Sequence, residues 1–237
     1  MQENPQVNSV PILDAIETAS SAIEEAAWRA GGELVRWEPK DGPLLSRCEQ
    51  GEWVLVLRQG LAYLCFRASP TMDLMLSLVR PGECLGEDRA LLGGAADVEA
   101  RVVTPSELVR VRRSRWVREI AGNPALAVPL LELAARRQRE ILRRVSACLT
   151  ASIEERLPQL LHDLCEPLNG GNGPVTLPLT QEGLARIAGC RRATAHRGLS
   201  ALARHGLLRL RRGAVEVPSV DALGRFAGGE SVLAATR

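Results

Sequence analysis

The sequence of 237 residues is long enough to form two domains, each with its own hydrophobic core. Apolar residues make up 46% of it and charged residues 24%, which is the balance of an ordinary globular protein. Because the net charge is only +2, any strongly basic surface must be balanced by a neutral or acidic remainder. No apolar run is long enough to cross a bilayer and no signal peptide opens the chain, so we expect a cytoplasmic protein without membrane contact.

The cysteines and histidines form no motif for metal binding or catalysis. No two cysteines have C-x-x-C spacing, so the sequence predicts free thiols, no metal and no cofactor. The histidines all fall in the C-terminal half, and no nucleophile with a base or pair of carboxylates is recognisable. We therefore expect a protein that is not an enzyme.

The N-terminal half combines one helix with a β domain. Residues 1–10 have the composition of a flexible tail, and residues 11–30 keep apolar side chains on one helical face. From residue 31 to residue 113, short β-type runs alternate with breaks rich in glycine and proline. This texture predicts a sandwich or barrel-like β domain.

Residues 114–150 have the pattern of a long helical region, interrupted at Gly122-Asn123-Pro124. Its seam repeats every three or four residues, as in helices that pair with a copy of themselves. The seam consists of Leu131, Ala134, Gln138, Ile141, Val145 and Cys148. We expect this helix to form a homodimer; the alternative is that it packs only on the β domain.

Residues 179–208 contain two amphipathic segments on either side of Gly189-Cys190. The outer face of the second segment carries arginines, and Gly206 ends it. Residues 207–217 alternate apolar and polar side chains around a turn at Gly213, which predicts a β-hairpin. Two short helices, a tight turn and a hairpin are typical of a winged helix-turn-helix, whose second helix enters the DNA major groove.

The charge of this segment favours DNA over other partners. Between residues 179 and 213 there are eight arginines against the single acid Glu182, whereas solvated helical faces usually mix both signs. A protein-interaction module that reuses the winged helix is the alternative from another class. A salt titration separates the two, because binding to phosphates weakens steeply with salt.

The order of elements, and the block from Thr180-Gln181-Glu182 to Arg197, resemble the CRP/FNR family of bacterial transcription regulators along nearly the whole chain. Arg80-Pro81-Gly82-Glu83 and Leu85-Gly86-Glu87 are similar to the family's β-roll turn and the start of its phosphate-binding cassette. The resemblance implies an α+β fold with a β-roll like that of cyclic-nucleotide-binding domains, a long dimerisation helix and a C-terminal winged helix-turn-helix. We assign residues 1–30 to an N-terminal tail and helix, 31–113 to the β-roll, 114–150 to the dimerisation helix, 151–218 to the winged helix-turn-helix and 219–237 to a C-terminal extension.

The resemblance also implies which residues contact DNA. Arg192 and Arg197 are expected to read guanines, since a guanidinium matches the two acceptors on the guanine edge. Ala193 replaces the glutamate that reads cytosine in the family's catabolite activators, and His196 lies on the same face either as a base contact or in solvent. Arg191 occupies the place of a serine or threonine helix cap. The expected phosphate contacts are Thr180, Gln181, Arg191, Thr194, Ser200, Arg211 and Arg212.

The implied effector pocket departs from that of the relatives that bind cyclic nucleotides. Its residues in this chain are Gly86, Glu87, Ala96, Asp97, Ile141 and Leu142. The relatives hold the cyclic phosphate with an arginine-serine pair where this chain has Ala96-Asp97 or Asp97-Val98, and an aspartate repels phosphate. Ile141 and Leu142 replace the polar pair that meets the base. We therefore expect a pocket with no cation that does not bind cyclic AMP.

Together these observations predict a homodimeric regulator that binds an inverted repeat in double-stranded DNA without cyclic AMP. The family's habit favours activation through contact with RNA polymerase. Three alternatives stay open: gating by an unidentified small ligand, gating by thiol oxidation, and action as a repressor.

Overall fold

The computed structural model describes residues 12–44, 52–69, 72–93, 98–171 and 173–229. The N-terminal part contains α1 (Ile12–Arg29) and α2 (Glu87–Leu92). Its strands are β1 (Glu33–Trp37), β2 (Trp53–Gln59), β3 (Ala62–Ser69), β4 (Met72–Val79), β5 (Cys84–Leu85), β6 (Val98–Val102) and β7 (Ser106–Arg112). They form two antiparallel sheets, with strand orders β1-β7-β2-β5 and β4-β3-β6.

The two sheets face each other as a roll around an apolar interior. Leu55, Leu57 and Leu108 of the four-stranded sheet and Ala62 and Val102 of the three-stranded sheet are buried there. Alternate residues of β2 and β7 point the other way and pack against α1. Strand periodicity therefore makes both faces of the four-stranded sheet apolar, because each face has a cover.

The middle of the chain consists of α3 (Arg113–Gly122) and α4 (Ala127–Thr150), separated by Asn123-Pro124 as the sequence predicts. On one side of α4, Leu133 packs in the core with α1 and the four-stranded sheet. Polar links also join α4 to the roll. Ser77 donates to Glu140 at 2.8 Å, Arg136 lies 3.1 Å from Glu83, and Arg137 pairs with Glu87.

The C-terminal part contains α5 (Ile153–Cys165), α6 (Gln181–Ile187), α7 (Arg192–Arg204) and α8 (Val220–Ala227). A three-stranded antiparallel sheet of order β8-β10-β9 joins β8 (Val175–Leu177), β9 (Arg209–Arg211) and β10 (Ala214–Val217). Ser152 caps α5: it accepts from the Glu155 amide, and the Glu155 carboxylate accepts from the Ser152 amide in return.

One hydrophobic core continues from the roll into the C-terminal part. Tyr63, Cys65 and Met75 on the outer face of the three-stranded roll sheet are buried together with Ile187 and Ala188 at the end of α6. A backbone bridge between Leu74 and Ala188 reinforces this contact. Part of the apolar face of the helix-turn-helix is therefore covered by the roll of the same chain.

The sequence-based expectations match most of these elements and miss three. The two-residue β5, the six-residue α2 and the three-residue β8 are too short to show a period. Searches of the described residues find no helix long and apolar enough to span a membrane and no cluster of His, Cys, Asp or Glu that is suited to a metal ion.

Candidate nucleic-acid interface

The turn between α6 and α7 is fixed by local hydrogen bonds. The Thr180 hydroxyl accepts from the Gly183 amide at 3.0 Å and so caps the start of α6. At the other end, the Cys190 amide donates to the Ala185 carbonyl across Gly189, whose φ is +64°. A residue with a side chain is strained in this left-handed conformation, and a Cβ there would also lie 3.1 Å from Leu74.

The second helix of the motif, α7, is anchored by its inner face. Ala195, Leu199 and Leu202 are buried, at the spacing of one helical stripe. Gly198 allows close contact with α5, because a Cβ at this position would lie 2.9 Å from Leu157. The inner face therefore sets which side chains point outward.

The four expected base-contact residues come together on the outward face of α7. Arg192, Ala193, His196 and Arg197 are all exposed, and no part of the described chain covers them. Arg197 lies 3.9 Å from Glu154, but 72% of its side chain is exposed, so this contact is weak. His196 Nδ1 is 2.9 Å from the side-chain oxygen of Gln181, the first residue of α6.

The expected phosphate contacts have different surroundings. The Thr180 hydroxyl is already used in the α6 cap, and the oxygen of Gln181 is used by His196. Arg191 precedes α7 without a side-chain cap, as the sequence predicts, and is exposed. Thr194 and Ser200 are half-buried on α7.

The hairpin of β9 and β10 contains a salt-bridge cluster that the sequence analysis did not anticipate. Arg209 and Arg211 lie 2.8 Å and 3.0 Å from the carboxylate of Glu216 on the paired strand. Their hydrogen bonds, that of Arg209 first, lower the pKa of Glu216. Glu216 offsets one of these two positive charges, so the wing arginine Arg211 is held within the hairpin, whereas Arg212 is exposed at its tip.

Four arginines keep an uncompensated charge on this side of the C-terminal part. Arg191, Arg192, Arg204 and Arg212 are exposed and have no acidic partner within the residues the structure describes. They lie before α7, at its two ends and on the adjacent hairpin. Such a surface attracts a polyanion, and the exposed helix between these charges has the shape that enters a major groove.

A buried ion pair attaches the first helix of the motif to the roll. Arg186 on α6 donates to both carboxylate oxygens of Asp73, at 2.6 Å and 3.3 Å, and these bonds raise the pKa of Arg186. Asp73 on β4 is fully buried and also lies 3.4 Å from Arg101 on β6. Arg186 is one of the eight arginines between residues 179 and 213, but its charge is paired with Asp73 inside the molecule.

A cavity of about 370 Å³ lies where the effector pocket was expected, between the roll, α2 and α4. Gly86, Glu87, Ile141 and Leu142 line it, as do Arg89 and Arg137. Ala96 and Asp97, the other two residues assigned to the pocket, lie outside the described residues. The expectation of a pocket without a cation is wrong, because two guanidinium groups line its wall.

Both arginines are already engaged. Arg89 is buried and donates to the Val98 carbonyl at 2.9 Å. Arg137 pairs with Glu87 and donates to the Cys84 carbonyl at 2.8 Å. Burial raises the pKa of Glu87, and Arg137 opposes that effect. The sequence pattern does not reveal either cation, since Arg137 is one of several arginines that alternate with the seam of the long helix and Arg89 belongs to no recognisable motif.

The exposed face of α4 differs in part from the predicted seam. Leu131, Ala134, Gln138 and Val145 are exposed as expected. Ile141 and Cys148 are half-buried instead: Ile141 lines the cavity, and the Cys148 thiol accepts from Arg156 at 2.7 Å. The apolar residues exposed in their place are Val128, Leu142 and Leu149. The exposed positions Val128, Leu131, Ala135, Gln138, Leu142, Val145 and Leu149, called the α4 stripe below, alternate three and four residues apart.

Comparisons with known proteins agree on one family. Residues 155–226 match the model of the Crp-like helix-turn-helix domain. The chain is 30% identical over 194 residues to the cyclic AMP receptor protein of Thermus thermophilus, covering 82% of this chain and 88% of that protein. It is 25% identical over 192 residues to the CRP-like cAMP-activated global transcriptional regulator of Mycobacterium tuberculosis, covering 80% of this chain and 86% of that protein. The structure of the c-di-GMP responsive global regulator CLP of Xanthomonas campestris superposes with a TM-score of 0.68 at 20% identity, over 84% of this chain and 99% of that one, and so has the same fold.

Proposed function

The chain belongs to the CRP/FNR family of transcription regulators, and from this premise we propose that it binds an inverted repeat as a homodimer without cyclic AMP. The observation that carries the proposal is the outward face of α7, where two arginines at base-reading positions are flanked by arginines without acidic partners in the described structure. Arg192 and Arg197 would read guanines, and Arg191, Arg212, Thr194 and Ser200 would hold the backbone.

The α4 stripe supports a homodimer. Its a and d positions are apolar except for Gln138, and Leu131 and Leu149 are 68% and 82% exposed in the single chain. Such a stripe loses water when it pairs with the same stripe of a second chain. Pairing would bring two copies of α7 to one side of the dimer, as an inverted repeat with half-sites one helical turn apart requires.

Replacing Leu142 by glutamate should break this dimer. The side chain lies in the middle of the stripe, and each dimer would bury two carboxylates in an apolar seam. We expect sedimentation at micromolar concentration to show a monomer with a folded circular dichroism spectrum. Leu92→Glu is the matched control, since Leu92 is 87% exposed at the end of α2 and is not part of the stripe, and this variant should remain dimeric. A dimeric Leu142→Glu protein would contradict the assignment of the interface.

Independence from cyclic AMP is supported by the links that already join the roll to α4. The Glu87–Arg137 pair joins α2 to α4 at the wall of the cavity. The Glu83–Arg136 and Ser77–Glu140 contacts also join the roll to α4. A ligand in this cavity would connect the roll to α4. The side chains of the protein already make that connection, so no ligand is needed for it. The core shared between roll and helix-turn-helix likewise holds α6 in place without a ligand.

Gating by a small ligand is a second candidate, because the cavity has polar atoms to offer. Glu87 Oε2 and Arg137 Nε are buried without a hydrogen-bond partner among the described groups, which is costly unless something polar reaches them. Two relatives are named for cyclic AMP, so this nucleotide is the first ligand to test.

Gating by thiol oxidation is less well supported for the buried cysteines. Burial raises the pKa of Cys65 and of Cys165 to about 12 and also raises that of Cys84. At neutral pH these thiols are protonated, and the protonated thiol is the unreactive form.

Alkylation should therefore spare these three cysteines. After brief treatment of the folded protein with iodoacetamide at pH 7.5, peptide mass spectrometry should find Cys65, Cys84 and Cys165 unmodified and the half-buried Cys148 modified to a larger extent. Cys190 is also half-buried, but burial raises its pKa, so it should be modified less than Cys148. Modification of Cys65 and Cys165 should rise only as the pH approaches their raised pKa. Treatment in denaturant is the control and should modify all of them. Rapid labelling of Cys65 in the folded protein would revive the oxidation hypothesis.

We propose that the regulator activates transcription by contact with RNA polymerase, following the habit of the family. A promoter fused to a reporter, with the operator placed upstream of the polymerase site, should give more product when the protein is present. When the same operator is placed over the transcription start site, the protein should instead lower the amount of reporter product. Repression from the upstream position would instead assign the protein as a repressor.

Selection from random duplexes tests the central proposal. The full-length protein is incubated without any effector, and the selection is repeated with cyclic AMP. We expect the same inverted repeat in both arms, with guanines in each half-site. Enrichment only with cyclic AMP would overturn independence from this ligand, and no enrichment in either arm would count against effector-free DNA reading. A steep fall of affinity with salt should accompany specific binding, because phosphate contacts release counterions.

A further inference from the structure

The outward face of α7 contains two strong donors and one unexplained histidine. Arg192 and Arg197 can only donate, and Ala193 contributes neither donor nor acceptor. His196 follows Ala193 by three residues and so lies on the same face, one turn along the helix. It is exposed and contacts neither the apolar core nor an acidic side chain in the described structure, so packing does not account for it.

The partner of His196 determines what the ring presents to DNA. Its Nδ1 lies 2.9 Å from Gln181 Oε1, and an amide oxygen can only accept a hydrogen bond. Nδ1 therefore carries the proton, and in the neutral ring Nε2 carries a lone pair. The backbone of Gln181 is held in position, because Gln181 is the first residue of α6 and directly follows the Thr180 cap. Nε2 thus supplies the hydrogen-bond acceptor that Ala193 does not.

We propose that His196, held in this tautomer by Gln181, reads an exocyclic amino group in the major groove: N6 of adenine or N4 of cytosine. These amino groups are the donors on the major-groove edges of the bases. Guanine O6 and thymine O4 are acceptors, so their lone pairs would repel the lone pair of Nε2. Nε2 therefore also disfavours guanine and thymine at this position. His196 is the reading residue and Gln181 the positioning residue. The inference rests on the proposed function, since it assumes that α7 enters the major groove.

The first experiment compares base preferences at single positions. Wild-type protein, His196→Ala and Gln181→Ala are each used to select half-sites from random duplexes. We expect wild type to prefer adenine or cytosine at one position per half-site by about five- to tenfold, the value of one hydrogen bond. His196→Ala should lose this preference and keep the guanines read by Arg192 and Arg197. Gln181→Ala should weaken the preference at that position alone.

The second experiment removes the amino group from the DNA. In one half-site of the selected operator, adenine is replaced by purine or cytosine by 2-pyrimidinone, each of which lacks the exocyclic amine. Wild-type affinity should fall about five- to tenfold, and the affinity of His196→Ala should not change. Gln181→Glu tests the tautomer: its carboxylate also accepts from Nδ1–H but favours the doubly protonated ring, in which Nε2 donates, so this variant should lose the preference as Gln181→Ala does.

The outcomes separate this inference from the function on which it rests. If wild type selects an inverted repeat and His196→Ala selects the same repeat with every preference intact, His196 does not read a base and the inference is overturned while the proposed function stands. A uniform loss of affinity for all sequences would make His196 a backbone contact and would also overturn it. If no protein selects any sequence, both proposals fail together.

Discussion

Replacing Arg192 or Arg197 by alanine should strongly weaken sequence-specific binding while leaving weak association with any duplex. Each guanidinium is expected to discriminate its guanine by about 1–3 kcal/mol, and the homodimer loses two copies at once. The resulting loss of about 2–6 kcal/mol corresponds to at least roughly thirtyfold in operator affinity. Fluorescence anisotropy with the selected operator and with a scrambled duplex of equal length would measure this loss.

Arg204→Ala is the matched control for these variants. Arg204 is an exposed arginine in the last turn of the same helix, so the substitution removes an equal charge away from the base-reading positions. It should weaken operator and scrambled duplex by the same modest factor and make the dependence on salt shallower. If Arg192→Ala and Arg197→Ala behave in the same way as Arg204→Ala, these arginines are phosphate contacts and the assignment of base readers is wrong.

The second large effect is expected far from the DNA, at Asp73. Asp73→Asn keeps the size of the side chain and removes its charge. The guanidinium groups of Arg186, which is 30% exposed, and of Arg101, which is 15% exposed, are then left facing a neutral amide at the fully buried position 73. Breaking one side of a buried ion pair costs about 3–5 kcal/mol. We expect a loss of this order in the free energy of unfolding in urea, together with weaker operator binding because α6 loses its attachment to the roll.

A surface ion pair supplies the comparison for Asp73. Glu107 pairs with Arg36 and Arg58, whose side chains are 79% and 48% exposed, so Glu107→Gln should cost less than about 1 kcal/mol. Its operator affinity should equal that of the parent protein. If Asp73→Asn is no less stable than Glu107→Gln, the buried pair does not hold the helix-turn-helix on the roll.

Local patterns were sufficient to predict the DNA-binding half. The glycine turn, the inner stripe of Ala195, Leu199 and Leu202 and the arginines of α7 all lie within a few turns of chain, where helical periodicity determines which side each residue occupies. The resemblance to the CRP/FNR family added the base-reading positions. The same periodicity gave the α4 stripe except at Ala134, Ile141 and Cys148, each of which is one position before a stripe residue, because a three- or four-residue repeat leaves the centre of the stripe uncertain by one position.

The contacts between distant segments could not be predicted in this way. Asp73 and Arg186 are 113 residues apart, and nothing near either residue indicates the other. The cations of the pocket were missed for a related reason. Arg137 belongs to a helix rich in arginines, and nothing in the local sequence indicates its contact with Glu87, 50 residues earlier. The prediction that a site lacks a certain group is therefore weaker than the prediction of a motif. A side chain from elsewhere in the sequence can supply that group, as Arg137 does in the pocket.

The core that continues from the roll into the helix-turn-helix bears on how this protein can be dissected. A fragment beginning near residue 151 would retain α6 and α7 but would uncover Ile187, Ala188 and the charged end of Arg186, which the roll normally covers. Such a fragment would expose an adhesive apolar surface next to its DNA-binding face. The same contacts limit the exchange of helix-turn-helix domains between relatives. A domain taken from another protein needs an arginine opposite Asp73 and small residues opposite Leu74 to fit this roll. The roll and the helix-turn-helix therefore depend on each other's contact residues, and we expect these residues to change together among relatives.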